Sequence, residues 1–289
     1  MNSSLISFLT PKNLRLNGVW LGSDKSETVF ILLHGLGGSL FSRAPLTSLL
    51  ADKKQAVLAL NNRGSGTINY LKKETKTKTS YFLAGVAHEI FTDCVDDIDG
   101  AVAYVQSRGA KRIFLLGHST GCQKSVYYLA KRPQGPVAGA ILLAPVSDYA
   151  SLKNTVSSQV YNRALSSARK LVASNNGQTL LAPKLWLPPY SAQRFLSLYT
   201  PDSQEELFTY ASGRKPLMLH RVKKPLLTLL AEMDQFADRE ATKIADWFKR
   251  ELKNSRKHQI NIISGSDHGF ESKEIELTKI INLWLKNLQ

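Results

Sequence analysis

The sequence predicts an α/β fold, a mostly parallel sheet flanked by helices. Three observations carry this reading. Short β-rich apolar runs alternate with longer segments of 3.6-residue periodicity. The runs are apolar throughout rather than alternating, as in strands covered on both faces. One of them, Arg112 to Leu116, leads into Gly117-His118-Ser119-Thr120-Gly121 with a helix-like pattern behind it. With 289 residues, 43% of them hydrophobic, the chain can bury a large core in one α/β domain and still hold an insertion.

The strands follow in order. Leu14 to Leu21 is expected as an antiparallel edge. Val29 to Leu33 ends at His34-Gly35, and Ala56 to Leu60 ends at Asn61-Asn62-Arg63-Gly64. Arg112 to Leu116, Val137 to Leu143, Leu226 to Leu230 and Gln259 to Ile263 complete a buried series, each closed by polar or glycine-containing loops. Helical periodicity marks Ser39 to Leu50, Val95-Ile98-Val102-Val105, Val126 to Leu129, Ile244-Trp247-Phe248 and Ile280 to Leu288. The alternation stops between Tyr149 and Lys224, an insertion after the sixth strand. Ser151 to Ala173 reads as helical, and the remainder carries Trp186 to Tyr190 and Arg194 to Tyr199. The expected organisation is a core of residues 1–148 and 225–289 with a cap at 149–224, beside the strand ends where a pocket would open. The aromatics of the cap serve either its own core or a substrate.

A serine between two glycines at a strand-to-helix turn projects its hydroxyl from the top of a sheet. That hydroxyl is a weak nucleophile, so it needs a base and a group that orients the base. The strand Leu226 to Leu230 runs into Ala231-Glu232-Met233-Asp234, and Gln259 to Ile263 into Ser264-Gly265-Ser266-Asp267-His268. Ser119, Asp234 and His268 thus appear in the order Ser, Asp, His, each just after a strand, and such loops converge on one crevice. Glu232, Asp238, Asp267 and Asp148 compete for the acid. Asp238 reads as a helix N-cap before Arg239, and Asp267 as a loop-orienting residue. Asp148, following its own strand, stays open as the alternative acid. The oxyanion donors would be the backbone N–H groups of Thr120, after the nucleophile, and Leu36, in the first loop. His34 and Gly35 support that loop. His118 is expected to point away from the serine side, packed and hydrogen-bonded, whereas His88, His220 and His258 read as surface residues.

Other features point to no further chemistry. Cys94 and Cys122 form no disulfide framework and read as buried small apolar side chains. Asp93, Asp96, Asp97 and Asp99 lie at the start of a helix, complementing its dipole. No histidine or cysteine completes a ligand set with them, so no metal is expected, and no cofactor. The formal charge of +15 is spread along the chain, with one dense run at Lys72 to Lys78 that reads as a solvated loop, so no nucleic-acid partner is expected. No apolar run reaches the ~20 residues that span a bilayer. Met1 to Thr10 lacks the basic segment of a signal peptide, and a cytoplasmic protein without membrane insertion is expected.

With these residues placed, the chain resembles the α/β-hydrolase superfamily through the His34-Gly35 loop, the Asn62-Arg63-Gly64 turn, the Gly117 to Gly121 elbow, Asp234 and His268. Gly117 to Gln123 and Ala192 to Leu198 also resemble the fungal and plant subfamily that includes siderophore esterases. The first loop, His34-Gly35-Leu36-Gly37-Gly38, departs from that subfamily's Gly-Gly form and is similar to general esterases. The resemblance implies a serine hydrolase acting on a small-molecule carboxylic ester, with a cap over the site. The same three groups also serve thioester, amide or carbon–carbon hydrolysis, and a receptor on a hydrolase scaffold is the reading from another class.

Overall fold

The computed structural model describes residues 2–288. Eight strands form the main sheet: β1 (Ser3–Leu9), β2 (Arg15–Leu21), β3 (Thr28–Leu33), β4 (Gln55–Asn61), β7 (Arg112–His118), β8 (Val137–Leu143), β9 (Leu226–Ala231) and β10 (Gln259–Ile263). Their spatial order is β1-β2-β4-β3-β7-β8-β9-β10, with β5 (Asn69–Glu74) and β6 (Thr79–Ala84) in a separate antiparallel hairpin. From β4 to β10 neighbouring strands run parallel, while β2 is antiparallel to both β1 and β4.

The parallel strands are apolar throughout because both faces are covered. Val29, Ile31 and Leu33 of β3 face one core with α2 (Cys94–Ser107), α3 (Thr120–Lys131) and α8 (Ala241–Glu251). Phe30 and Leu32 face the other, against α1 (Ala44–Leu50) and α9 (Glu274–Asn287). Side chains alternate faces along a strand, so five consecutive apolar residues feed two cores. Cys94 and Cys122 are buried free thiols, as expected.

The chain between β8, the sixth strand of the main sheet, and β9 holds α4 (Asp148–Thr155), α5 (Ser158–Ala173), α6 (Ala192–Tyr199) and α7 (Leu217–Arg221). Three of these helices open on a serine whose Oγ accepts from a first-turn N–H: Ser147 from Ala150 at 3.0 Å, Ser157 from Val160 at 3.4 Å and Ser191 from Arg194 at 3.2 Å. The aromatics build a separate cluster here. Trp186 meets Phe195 edge-on with centroids 4.8 Å apart, and both are buried among Leu152, Ala164, Leu181 and Leu198.

Five expectations are corrected. Leu14 to Leu21 is not the edge, because β1 covers it; β1 buries only alternate residues such as Ile6 and Phe8, too sparse a pattern to stand out. The Lys72–Lys78 run is only partly a loop: Lys72 to Glu74 end strand β5 and residues 75–78 make the turn of the β5–β6 hairpin, which is in register from Asn69↔Ala84 to Glu74↔Thr79. The helix expected from Ser39 begins at Ala44, where Pro45 occupies the first turn, its natural place in a helix. Asp238 caps nothing: α8 starts at Ala241 after Glu240, and Asp238 pairs with Arg239 at 2.7 Å. The aspartates of α2 do more than complement a dipole. Asp93, Asp96 and Asp97 enclose the buried Arg63 guanidinium at 2.8, 2.7 and 2.7 Å, and Asp99 binds Arg132. Among the described residues no cluster could hold a metal ion, and no helix is long and apolar enough to cross a membrane.

Candidate active site

Ser119 joins β7 to α3 at φ 54° and ψ −124°, a region that a side-chain-bearing residue enters only under strain. The flanking glycines have a steric reason. A Cβ on Gly117 would lie 2.4 Å from the Gly121 carbonyl oxygen, and one on Gly121 would lie 2.0 Å from that of Leu33. No side chain fits either gap, so α3 presses directly on β3 and the turn stays sharp. Ser119 N–H donates to Leu143 O at 2.9 Å, tying the turn to the end of β8.

The first loop packs over this turn. A Cβ on Gly35 would sit 2.9 Å from the Ser119 Cβ. Gly38 N–H donates to Gly35 O at 3.0 Å, closing a turn in which Gly37 takes φ 63° and Leu36 stands at the second position. Leu36 lines the pocket. Thr120 is the first residue of α3, where backbone N–H groups have no acceptor within the helix. His34 is fully buried, donates from Nδ1 to Gly35 O at 2.8 Å, and is lowered to about 4 by burial and the nearby Lys124, so it stays neutral.

Asp234 and His268 occupy the loops after β9 and β10. These loops are zipped together by Glu232 N–H to Ile263 O at 3.2 Å and Met233 N–H to Ser266 O at 2.8 Å. Across them His268 Nδ1 donates to Asp234 Oδ2 at 2.8 Å, with the side chains 9% and 4% exposed. The other carboxylate oxygen accepts Phe236 N–H at 2.9 Å. Phe236 meets the His268 ring edge-on at 4.8 Å, and Gln235 Oε1 accepts the His268 N–H at 3.1 Å. Phe236 packs on the imidazole and Gln235 holds the backbone that carries it, and neither is marked by any sequence motif.

Ser119, His268 and His118 line one pocket of about 550 Å³, together with Leu36, Asp148 and Tyr199. Asp148 does not reach His268. Its carboxylate accepts from Gln123 Nε2 at 3.1 Å, and burial with the nearby Glu205 pushes it up to about 7. His118 is packed and hydrogen-bonded as expected, but it faces the serine side. Its Nε2 donates to His268 O at 2.9 Å and its ring lies 5.0 Å from that of His268. Burial and the neighbouring His268 lower it to about 3, so it acts as a neutral donor. His258 is exposed as expected, and the half-buried His220 pairs with Glu251 at 2.8 Å. His88, in contrast, is buried and bonds Gln178 at 3.1 Å, because residues 85–88 turn beneath the inserted helices.

Beneath the site lies a buried ion network that sequence reasoning missed. Glu89 pairs with Lys124 of α3 at 2.5 Å and Arg194 of α6 at 3.1 Å, and Arg194 pairs with Glu205 at 2.5 Å. Burial opposes ionisation of Glu89, but Lys124 and Arg194 overcome it and hold the carboxyl at about 2. Arg194, read in sequence as part of a motif, therefore ties the insertion through Glu89 to the helix that follows Ser119, while Phe195 packs in the insertion's own cluster.

The profile of the family described as "Protein of unknown function (DUF1749)" matches residues 62–286. No curated protein matches the sequence. Among solved structures the chain is similar to the Pyrococcus furiosus esterase Pf2001, at 17% identity and a TM-score of 0.63, over 99% of this chain and 91% of that one. It is similar to the α/β hydrolase GrgF from Penicillium sp. sh18, at 16% identity and a TM-score of 0.66, over 100% and 98%. Est1E from Butyrivibrio proteoclasticus with ferulic acid bound is similar at 14% identity and a TM-score of 0.64, over 97% and 98%.

Proposed function

This chain has the α/β-hydrolase fold and belongs to the family described as "Protein of unknown function (DUF1749)", and from that premise we propose that it is a serine hydrolase cleaving a carboxylic ester through an acyl-enzyme. The observation that carries this reading is the strained Ser119 turn opening on the same pocket as His268, whose Nδ1 is held by Asp234 at 2.8 Å.

In this reading His268 Nε2 takes the Ser119 proton as Oγ attacks the acyl carbon. Asp234 keeps Nδ1 protonated, so Nε2 is the basic nitrogen, and steadies the imidazolium that forms. The N–H groups of Leu36 and Thr120 stabilise the oxyanion, each worth on the order of 3 kcal/mol in the transition state. His268 then protonates the leaving alkoxide, and the alcohol departs. A water attacks the acyl-enzyme with His268 again as base, releasing the acid and restoring Ser119. The three side chains supply nucleophile, base and orienter, so the chemistry requires no metal or cofactor. Residues 149–224 act as the cap over a core of 1–148 and 225–289, and the pocket lining by Ser151, Leu152, Thr155 and Tyr199 supports a role for that cap in choosing the substrate.

Fluorophosphonate labelling tests the reading. The wild-type chain is expected to take the label at Ser119 and to hydrolyse p-nitrophenyl esters. Ser119→Ala is expected to lose both with its circular dichroism unchanged. A folded wild-type chain that resists the label would overturn it.

A further inference from the structure

We propose that Arg43 binds an anionic group on the substrate, so that the ester taken by the Ser119 pocket carries a carboxylate or a similar oxyanion. This deepens the hydrolase reading above and rests on it for the ester. Arg43 is the one arginine or lysine lining that pocket among the described residues. Its Nη1 stands 3.1 Å from where a Cβ on Gly269 would lie, next to His268 in the chain.

The guanidinium of the half-buried Arg43 lacks the carboxylate partners that the buried Arg63 and Arg194 have. Arg63 is enclosed by three aspartates, and Arg194 by two glutamates. Among the described residues no carboxylate pairs with Arg43, and its buried Nε has no hydrogen-bond partner. A guanidinium with an unpaired buried Nε at a pocket wall gains from an anion that enters the pocket. The nearby acids form no ion pair with it. Asp267 Oδ1, 3.4 Å from the same Cβ position on Gly269, accepts the Glu271 N–H at 3.2 Å, the Glu271 side chain beside it is exposed, and Asp148 holds Gln123.

The backbone adds a second, independent observation. Arg43 takes φ 68° and ψ 25°, a left-handed conformation unfavourable for a long side chain. The strain is held by Ser42 N–H to Ser39 O at 2.9 Å on one side and by Thr47 N–H to Arg43 O at 2.9 Å on the other. This local arrangement sets a strained arginine at the pocket wall. The planar fork of a guanidinium matches a carboxylate in two parallel hydrogen bonds, and the cavity of about 550 Å³ holds a small ester with such a group. The formal charge of +15 raises the local concentration of anions around the chain.

Two p-nitrophenyl esters of equal acyl length, the neutral hexanoate and the hydrogen adipate, test the proposal. The wild-type chain is expected to favour the hydrogen adipate, with a preference that shrinks as sodium chloride is added. Arg43→Gln is expected to lower the adipate-to-hexanoate ratio of kcat/KM roughly 10–100-fold, mainly through KM, and Arg43→Lys to retain part of it. Calorimetry with adipate itself on the Ser119→Ala chain, with and without Arg43→Gln, reads the site apart from catalysis. Adipate binding that is lost with Arg43→Gln supports the anion site even in a chain that cleaves neither ester, a result that counts against the hydrolase reading alone. A chain that cleaves hexanoate while Arg43→Gln changes both esters by the same factor overturns the anion site and leaves the hydrolase reading intact.

Discussion

His268 Nδ1 lies 2.8 Å from Asp234 Oδ2, a contact between residues 34 positions apart that ranks the two candidate acids. Asp148 is engaged with Gln123 instead. Asp234→Asn should therefore reduce kcat by about 10⁴, the loss expected when the orienting carboxylate of a serine–histidine pair becomes an amide. Asp148→Asn should reduce it less than about 10-fold. Steady-state kinetics on one p-nitrophenyl ester decides, and a larger loss from Asp148→Asn would reverse the assignment.

Gly35 packs so closely on Ser119 that a side chain there would displace it. A Cβ there would lie 2.9 Å from the Ser119 Cβ, inside the contact distance of two carbons. Gly35→Ala should shift Ser119 and lower kcat about 100-fold, the scale set by misplacing a reacting group by around an ångström. Far-UV circular dichroism should be unchanged, and retained wild-type kcat would show that the loop yields instead.

Asp97 holds Arg63 through Oδ1 at 2.9 and 2.7 Å and Oδ2 at 2.9 Å, with both side chains 2% exposed. Removing Asp97 takes from the buried Arg63 the most buried of its three carboxylates and the acceptor of its backbone N–H, leaving Asp93 and Asp96. Asp97→Ala should cost about 3–5 kcal/mol in urea unfolding. A loss under about 1 kcal/mol would mean that Asp93 and Asp96 suffice.

Glu206 gives a pH dependence of stability with a definite sign. Ser147 Oγ bonds both its carboxylate oxygens at 2.8 Å, while burial, despite Ser147 and with Asp148, Glu205 and Asp238 nearby, pushes the carboxyl up to about 8. The folded chain therefore keeps a proton that the unfolded chain releases near pH ~4.3. Its contribution is complete below that pH and is lost as pH rises through about 8. Asp148, pushed up to about 7, acts in the same direction. Thermal unfolding at pH 5 and pH 9 should show wild type losing more stability than Glu206→Gln across the interval. Parallel slopes would remove Glu206 as a cause.

The legible elements share a physical property. Val29 to Leu33 and Val137 to Leu143 are covered on both faces, so their whole length is apolar and stands out without alignment. Strand β1, exposed on one face with Leu5 88% exposed, and the β5–β6 hairpin, in which Ala84 alone is buried, have no such two-sided cover. Ser119, Asp234 and His268 could be nominated from the sequence because each follows a strand in a fixed order. His118 was misplaced because sequence gives its neighbour in the chain, whereas its Nε2 bonds the His268 backbone 150 residues away.

The sequence by itself determined the layered α/β architecture, the strained serine turn and a short set of candidate partners, since these follow from local periodicity and from glycine's missing side chain. Only the tertiary structure decided that Asp234 rather than Asp148 meets His268, that α2's aspartates enclose Arg63, and that Arg43 stands at the pocket without a carboxylate. Each of those outcomes depends on distances between residues far apart in the chain. Hydrogen bonds and ion pairs act over about 3 Å, so which groups pair is set by how the layers pack and not by the order of residues along one strand.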